Sequence, residues 1–538
     1  MAGLPWPIVY FGIAAYTITR STVAMFFLLS IIATVAKVLY SVALYPKFFT
    51  PLKHIPTPPR RSWLTGNTSS YYIETPYEEM RDWIVSVPNN GLIRYYMTGN
   101  LERILLTSPK SLGELLVHKV YEFPKPEIIR ASLSRVTGLN GLLLVEGEEH
   151  KRQRKNLMPA FSYRHIKDLY PIFWEKSIEM VRCIEDDLQK RADYTTTIGT
   201  WASRTTLDII GVAGMDHDFS TLRDPENDLH RSYQKLLSEP PPFMKLIYVL
   251  AMCIGKPDLV NQLPFRRNRE IKEGSEIIRN VARQMIRKKQ EKLDNTDDSS
   301  SASSEVDIIS VALKSGSFTE DELIDQMMTF LGAGHETTST ALQWAAYALC
   351  KHPEVQTRLR EEVRTHLPSI STTDQDRQPI SAAAIDALPY LSAVCNEVLR
   401  FHPSIPTTVR IAGRDTTLVG TTIPKGTLFL IVANVINHSK ELWGADADVF
   451  NPDRWLGPGR ANTGGASSNY AFLSFLHGPR GCIGQGFSKA ELACLIAVLV
   501  GRFQMELVNP DAKLEVRLSA TICPKDGVPV RLTALEGW

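Results

Sequence analysis

The run Phe475-Leu-His-Gly478-Pro-Arg480-Gly-Cys482-Ile-Gly484 constrains this 538-residue chain more than any other stretch. It sets one cysteine in a glycine-rich loop, directly ahead of an apolar run of helical character, Phe487 to Val500. A thiolate persists at neutral pH only beside positive charge, a metal or the donor end of a helix. All three are within reach of Cys482: a helix begins just after it, Arg480 stands two residues away, and the sulfur can take a metal. Gly478 and Gly484 remove side chains where a flat ligand could lie against backbone. A lone cysteine is usually a small buried hydrophobe. Against that stands the joint pattern Phe-x-x-Gly-x-Arg-x-Cys-x-Gly, whose chance appearance in a chain this long is roughly one in ten thousand.

These residues match the haem-binding signature of the cytochrome P-450 family, which the chain resembles. The resemblance implies a mainly α-helical fold with small β-sheets, an N-terminal membrane anchor, and haem b (iron protoporphyrin IX) as cofactor. It makes Cys482 the axial ligand of the haem iron and Arg480 a partner of a haem propionate. Phe475 then shields the sulfur, whose electron donation favours O–O cleavage.

Length alone would allow several domains, but no long internal low-complexity linker divides the chain, which favours one large domain. A net charge of +2 carries no global nucleic-acid signature, so no nucleic-acid partner is expected. Seven scattered cysteines (183, 253, 350, 395, 482, 494 and 523) contain no CxxC pair. That argues against a disulfide framework or a zinc site and fits a reducing compartment.

Leu4–Thr19 is apolar, Arg20 interrupts, Ser21–Ala36 is uncharged, and an apolar run continues past Lys37 to Pro46. The uninterrupted piece is slightly short of the roughly 20 residues that span a bilayer, but Lys37 can snorkel and extend it. Residues 1–46 therefore read as a membrane-anchor region, single-pass, with Leu4–Thr19 open to a second reading as a separate membrane element. Residues 47–62 form a basic, proline-rich hinge with Lys47, Lys53, Arg60, Arg61 and Ile55-Pro-Thr-Pro-Pro59. These basic residues place the catalytic domain, 63–538, in the cytosol, on the endoplasmic reticulum membrane by the resemblance. A signal peptide cleaved near Ser41-Val-Ala43 is the competing reading; the missing charged n-region counts against it. A β-hairpin is predicted over residues 92–107, turned near Gly99-Asn100, with others around Gly420 and Lys525-Asp-Gly527. From the end of the first hairpin, at residue 107, to about residue 400 the pattern is mostly helical, and Asp294–Glu305 reads as a solvated low-complexity loop.

Leu323 to Cys350 reads as one long apolar helix opened by a capping box at Thr319 and Glu322. Its middle, Ala333-Gly334-His335-Glu336-Thr337-Thr338, fails as a zinc-protease motif because Ser339 stands where a second histidine is needed. It fails as a dinucleotide loop because a third glycine is missing. Mid-helix threonines usually bond back to a carbonyl, yet a glycine, an acid and two threonines inside an apolar helix point to a site. The stretch matches the family's oxygen-activating motif. The resemblance implies a helix loosened near Gly334, a groove for O2, Thr337 bonding oxygen at the iron, and Glu336 supplying protons. His335 reads as a variable position rather than a ligand.

Glu397-Val-Leu-Arg400 sets opposite charges one helical turn apart. With His402-Pro403 and Asn451-Pro-Asp-Arg454-Trp it matches the family's buried network of Glu397, Arg400 and Arg454 below the haem. Gly147 to Lys155 is basic at helical spacing, ordinarily a solvated face. In it His150 and Arg154 match the family's propionate pair, with histidine in place of the commoner tryptophan, and Arg410 matches a third contact. Lys151, Arg152, Lys155 and Lys489 are expected to form a positive patch for an acidic reductase.

By analogy, substrate contacts come from residues 125–145, from Phe330, Ala333, Ile405, Thr408 and Ile522, and from their neighbours. Pro240–Ile254 reads either as a membrane-dipping apolar segment that admits a lipophilic substrate or as core. The whole resembles a microsomal, fungal biosynthetic monooxygenase that oxidises a lipophilic small molecule with O2. No flavin domain is present, so its electrons come from NADPH through a separate cytochrome P-450 reductase, with cytochrome b5 as a second candidate donor. Two rivals share these features. A haem-thiolate hydroperoxide isomerase or lyase would not need the intact Glu336-Thr337 pair or the basic run. A non-catalytic haem-binding membrane protein would need no proton-delivery residues at all.

Overall fold

Thr319 opens the helix around which the chain packs: its hydroxyl accepts the Glu322 N–H, and the Glu322 carboxylate accepts the Thr319 N–H. The central helix, Glu320–Lys351, then runs for 32 residues with most of its surface buried on every side. A helix apolar all round belongs in a core. The computed structural model describes residues 6–59, 62, 66–67, 77–97, 100–191, 193–253, 259–294, 307–371, 379–518 and 520–538.

The helix Ile198–Met215 lies against the central helix, and Gly334 shows how closely. A Cβ on Gly334 would come within 2.9 Å of the Ile210 side chain. The expected loosening at Gly334 is not seen; the central helix stays α-helical through it. The glycine there lets a second helix approach. Around this pair lie the helices Tyr170–Leu188, Arg266–Asp294, Pro389–Phe401 and Gln485–Arg502, the last following the cysteine loop. Their apolar faces form one large core, and a smaller core lies beneath the main sheet.

Eleven short strands are described: β1 (Leu92–Met97), β2 (Leu101–Leu106), β3 (Thr195–Thr197), β4 (Thr407–Ile411), β5 (Thr416–Leu418), β6 (Thr421–Ile423), β7 (Leu428–Val432), β8 (Phe503–Leu507), β9 (Val516–Leu518), β10 (Ile522–Pro524) and β11 (Pro529–Ala534). The main sheet has the order β1-β2-β7-β4, with β2 and β7 parallel. The hairpin expected over 92–107 forms, with Leu92 opposite Leu106 and Asn100 at positive φ, and β5 and β6 make the one near Gly420. No hairpin forms around Lys525-Asp-Gly527. Strand β10 pairs back with β9, whereas β11 pairs with β3 and β8, so that turn links two sheets. The low-complexity run after Asp294 lies outside the described residues, as do Arg60 and Arg61 of the basic hinge.

At the N-terminus one helix, Trp6–Leu39, runs on without a break at Arg20 and passes into a π-helical stretch, Tyr40–Phe49. Among the described residues it is the helix long and apolar enough to cross a membrane, over Thr22–Phe49. Its lower end is docked on the first hairpin. Asn100 donates to the Val42 carbonyl (2.8 Å), Tyr96 to the Pro46 carbonyl (3.2 Å), and Thr50 to the Glu102 carboxylate (2.8 Å). The apolar stretch after Pro240 forms a helix, Pro242–Cys253, with Met244 and Ala251 buried and Phe243 and Leu246 exposed.

His230 shows what the packing does to a titratable group. It is 1% exposed, its Nε2 lies 3.2 Å from Ser203 Oγ, and burial followed by nearby His335 and Arg204 pushes its imidazole down to about 4. The unfolded chain takes up this proton near pH 6.5, while the folded chain refuses it until about pH 4. Stability from this residue is thus complete above pH 6.5 and is lost as pH falls. Between pH 7 and 5 the parent protein should lose about 2 kcal/mol that His230→Gln does not. Denaturant unfolding of both proteins at the two pH values checks it, and equal pH dependence would mean that His230 titrates normally.

Candidate active site

The cysteine loop is closed by a hydrogen bond from Cys482 N–H to the Phe475 carbonyl (2.8 Å). To turn so tightly, the chain takes Leu476 and Gly478 to positive φ. A Cβ on Gly478 would strike the Leu116 carbonyl, so this glycine answers backbone and close packing within the protein. Gly484 caps the helix Gln485–Arg502 and would admit a Cβ, with only Phe161 near it at 3.8 Å. Phe475 packs on Phe472, and the Lys489 ammonium lies over both rings.

The Cys482 side chain is free and exposed, although much of the protein surrounds it. Burial pushes its thiol up, while an N–H from Gly484 and the charge of Arg154 pull the other way. The loop by itself therefore favours the thiol; metal coordination would remove the proton outright. Arg154 donates to the Gly481 carbonyl (2.7 Å), so it stands on the sulfur side.

A cluster of buried cations lies close by. Arg410 is 2% exposed and donates to Thr408 Oγ1 and the Val409 carbonyl (both 2.9 Å). Arg480 pairs with Glu146 and donates to the Val145 carbonyl, leaving its buried Nε with no partner. Lys125 stands 4.0 Å from the same Glu146 carboxylate. Burial, then Arg410 and Arg480, push Lys125 down to about 7; burial and Arg480 push Arg410 down to about 10. Arg480 and Lys125 share one carboxylate and Arg410 has no carboxylate bonded to it, which leaves a site fit for a ligand carrying two carboxylates. His150 sits among them with Nδ1 3.2 Å from the Tyr121 hydroxyl, pushed down to about 3 by burial and then by Arg480. Sequence reasoning missed Lys125, Tyr121 and Glu146, which carry no motif and act only through distant partners.

Among the described residues no three histidine, cysteine or acidic side chains gather to hold a metal ion. An iron bound at Cys482 would thus need a porphyrin to supply its remaining ligands. The accessible Cys482 sulfur, the unpartnered Arg480 Nε and the surplus buried cations all fit haem.

On the central helix Ala333 is exposed and Gly332, Gly334 and Thr337 are half-buried. Thr337 bonds back to the Ala333 carbonyl (2.9 Å). Glu336 is 8% exposed and is held on another side: Thr521 donates to it (2.8 Å), and Arg517 stands 4.0 Å away. Thr338 Oγ1 is 3.0 Å from Ser488 Oγ, which joins the central helix to the one behind the cysteine. Phe330 packs on Phe161, 5.3 Å between centroids. Ile522 accepts from Trp344 (2.8 Å) and donates to the Ser404 carbonyl (3.0 Å), and Ser404 Oγ donates to the Thr337 carbonyl (2.9 Å). Ile522, Thr337 and the segment leading to exposed Ile405 are thereby brought together, whereas Thr408 belongs with Arg410.

Glu397 and Arg400 are fully buried and joined by two 2.8 Å bonds, with Arg454 at 3.1 Å. The four-residue positive patch is not assembled. Arg152 is taken up by Glu149 and Glu322, and Lys489 points inward to Asn396 and the two phenylalanines. Lys151 and Lys155 remain exposed, Lys151 beside Glu148.

This thiol-bearing loop, packed against a long buried helix within a mainly helical fold, is the arrangement of a haem-thiolate oxygenase. A family model for cytochrome P450 matches residues 56–525, and the chain belongs to that family and is a monooxygenase. It is similar to cytochrome P450 monooxygenase sphH of Aspergillus fumigatus, 56% identical over 99% of this chain and 98% of that one. It is also similar to cytochrome P450 monooxygenase FSL4 of Gibberella zeae, 41% identical over 94% of this chain and 92% of the relative. Cytochrome P450 monooxygenase FUM15 of Gibberella moniliformis is 41% identical over 92% of this chain and 90% of its own.

Cys482→Ser should abolish the strongly red-shifted Soret band of the reduced carbon monoxide complex. Cys494→Ser, at a fully buried position in the following helix, should leave that band in place. An unchanged spectrum in Cys482→Ser would exclude this sulfur as the ligand.

Proposed function

We propose that the protein oxidises a lipophilic small molecule of fungal secondary metabolism, using O2 and electrons passed from NADPH by a separate reductase. The observation that carries this reading is the accessible Cys482 thiol beside a surplus of buried cations. Haem b, when bound, supplies the redox chemistry that activates O2. Cys482 provides its sulfur ligand, with the Gly484 N–H and Arg154 to support the negative charge. Arg480, Arg410 and Lys125 hold the two propionates, and His150 orders the wall beside them through Tyr121. Glu336 serves as proton donor, and the Thr337 hydroxyl hydrogen-bonds the reacting oxygen to which that proton is delivered. Ala333, Phe330, Ile405 and Ile522 contact the substrate. Exposed Phe243 and Leu246 give the helix Pro242–Cys253 an apolar side suited to a membrane surface. Residues 1–46 anchor the chain in the endoplasmic reticulum membrane, 47–62 form the hinge, and 63–538 form a cytosolic catalytic domain.

Thr337→Ala leaves the sulfur, the cations and the pocket in place, so folding and substrate binding should survive. Product formed per NADPH should fall, near the lower end of what acid–base assistance is worth, about 10²-fold, with H2O2 rising in parallel. Coupling as tight as in the parent would remove this threonine from the mechanism.

Asn67-Thr-Ser69 is a glycosylation sequon, yet no glycan is expected there. The Asn67 side chain is 6% exposed, donates to the Pro58 carbonyl (3.2 Å) and accepts the Tyr96 N–H (3.0 Å). A glycosidase-sensitive mass shift that Asn67→Gln removes would overturn both the cytosolic orientation and this packing.

A further inference from the structure

The turn before β10 touches Glu336 directly, and the first residue of β10 reaches Thr337 through Ser404. Thr521, 1% exposed, donates to Glu336 Oε1 at 2.8 Å and receives the Thr340 hydroxyl at 3.2 Å. The next residue, Ile522, is tied to Ser404, and Ser404 is tied to the Thr337 carbonyl. Trp344 fixes the Ile522 carbonyl from the central helix itself. Glu336, Thr521, Ile522, Ser404 and Thr337 therefore close a ring of contacts, and only Ile522 in that ring is an apolar candidate for touching substrate. Arg517, across from Cys523 in the β9–β10 pair, stands 4.0 Å from Glu336 and is 36% exposed, so it connects the carboxylate to solvent.

We infer that Thr521 is a positioning residue that holds Glu336 on the solvent side and releases it when substrate presses on Ile522. The inference rests on the reading of Glu336 as the proton donor. A hydroxyl bonded to a carboxylate is among the stronger hydrogen bonds a side chain can make. Glu336 and Thr337 are consecutive on an α-helix and so point about 100° apart. While Thr521 keeps its bond, the carboxylate is committed away from the Thr337 hydroxyl, which itself rests on Ala333. A shift of the turn loosens Thr521 from Glu336 and, through Ser404, moves the Thr337 backbone in the same event. Proton supply is thereby linked to an occupied pocket.

The test uses the full-length holoprotein in detergent, with Thr521→Val, Thr521→Ser, Glu336→Gln and the Val/Gln double variant. Thr521→Val and Glu336→Gln should each lower the substrate-free unfolding midpoint by about 2–4 °C. The double variant should fall no further than the worse single one, and Thr521→Ser should restore the parent midpoint. Additive losses would overturn the inference. The second readout is the same unfolding cycle repeated with saturating clotrimazole, an azole whose imidazole ligates haem iron and whose aromatic groups fill the adjoining pocket. With the azole bound the Thr521–Glu336 bond is released, so the two losses should become additive. A cycle equally non-additive with and without the azole would overturn it. Should the azole-free cycle be non-additive and the azole-bound one additive while Glu336→Gln keeps fully coupled turnover, Thr521 is a positioning residue for Glu336 and the proton-donor reading is what fails.

Discussion

The placement of the cysteine loop depends on one buried carboxylate, Glu397. A carboxylate with no exposure survives only if its charge is matched and its lone pairs are used. Arg400 and Arg454 supply the charge, while Trp455 Nε1 (2.9 Å) and the Asn451 N–H (2.8 Å) take remaining lone pairs. Arg400 then reaches the carbonyls of Asn437 (2.7 Å) and Ala447 (2.8 Å). Asn437 carries the connection onward: it donates to Arg400 O and Ser474 Oγ and accepts the Leu473 N–H. Leu473 and Ser474 lead straight into Phe475 and the loop that ends at Cys482. Removing one partner of such a set costs about 3–5 kcal/mol because it leaves a charge buried alone. Here the loss would fall on the segment that aims the sulfur.

Two electrostatic demands meet at the site. The thiol is pushed up by burial and needs a cation close at hand to ionise. Burial pushes Lys125, Arg410 and Arg480 down, Arg480 pushes the other two down further, and all three need anions. Neither set can satisfy the other through Glu146 alone, whose carboxylate is already shared by Arg480 and Lys125. A ligand with a metal at its centre and two carboxylates at its edge answers both demands at once. The same residues that repel one another would each gain an anion from such a group, which favours its retention.

Local features were legible in the sequence. The capping box at Thr319 and Glu322, the first hairpin, the helix after the cysteine and the one-turn spacing of Glu397 and Arg400 all rest on contacts a few residues apart. What escaped lies far apart in the chain. Arg480 and Glu146 are separated by 334 positions, Thr521 and Glu336 by 185. The family resemblance implied a loosened helix at Gly334, but the glycine there faces Ile210 on another helix, which no local pattern reveals. The turn at Lys525-Asp-Gly527 has hairpin chemistry, yet β10 was already paired to β9, so the turn serves a change of sheet instead. Charge spacing predicted an exposed patch, whereas Arg152 found Glu322 on the central helix and turned inward.

The N-terminal helix is joined to the same sheet that carries one of the cradle cations. Val42 and Pro46 at its lower end are bonded by Asn100 and Tyr96 of the first hairpin. Strand β2 of that hairpin pairs with β7, and β7 pairs with β4 so that Phe429 lies opposite both Ile104 and Arg410. From the N-terminal helix to the buried guanidinium there are therefore only three hydrogen-bonded strands, β2, β7 and β4. Neighbouring strands in such a ladder stay about 4.8 Å apart. A freely jointed connection would let the rest of the fold tilt independently of the helix. This one, fixed by side-chain bonds to a short sheet, transmits the orientation of the helix to the rim of the site. The Asn67 side chain, wedged between Pro58 and Tyr96, ties the proline-rich segment to the same sheet. The direction of the N-terminal helix and the geometry at the cradle are thus set by one small sheet.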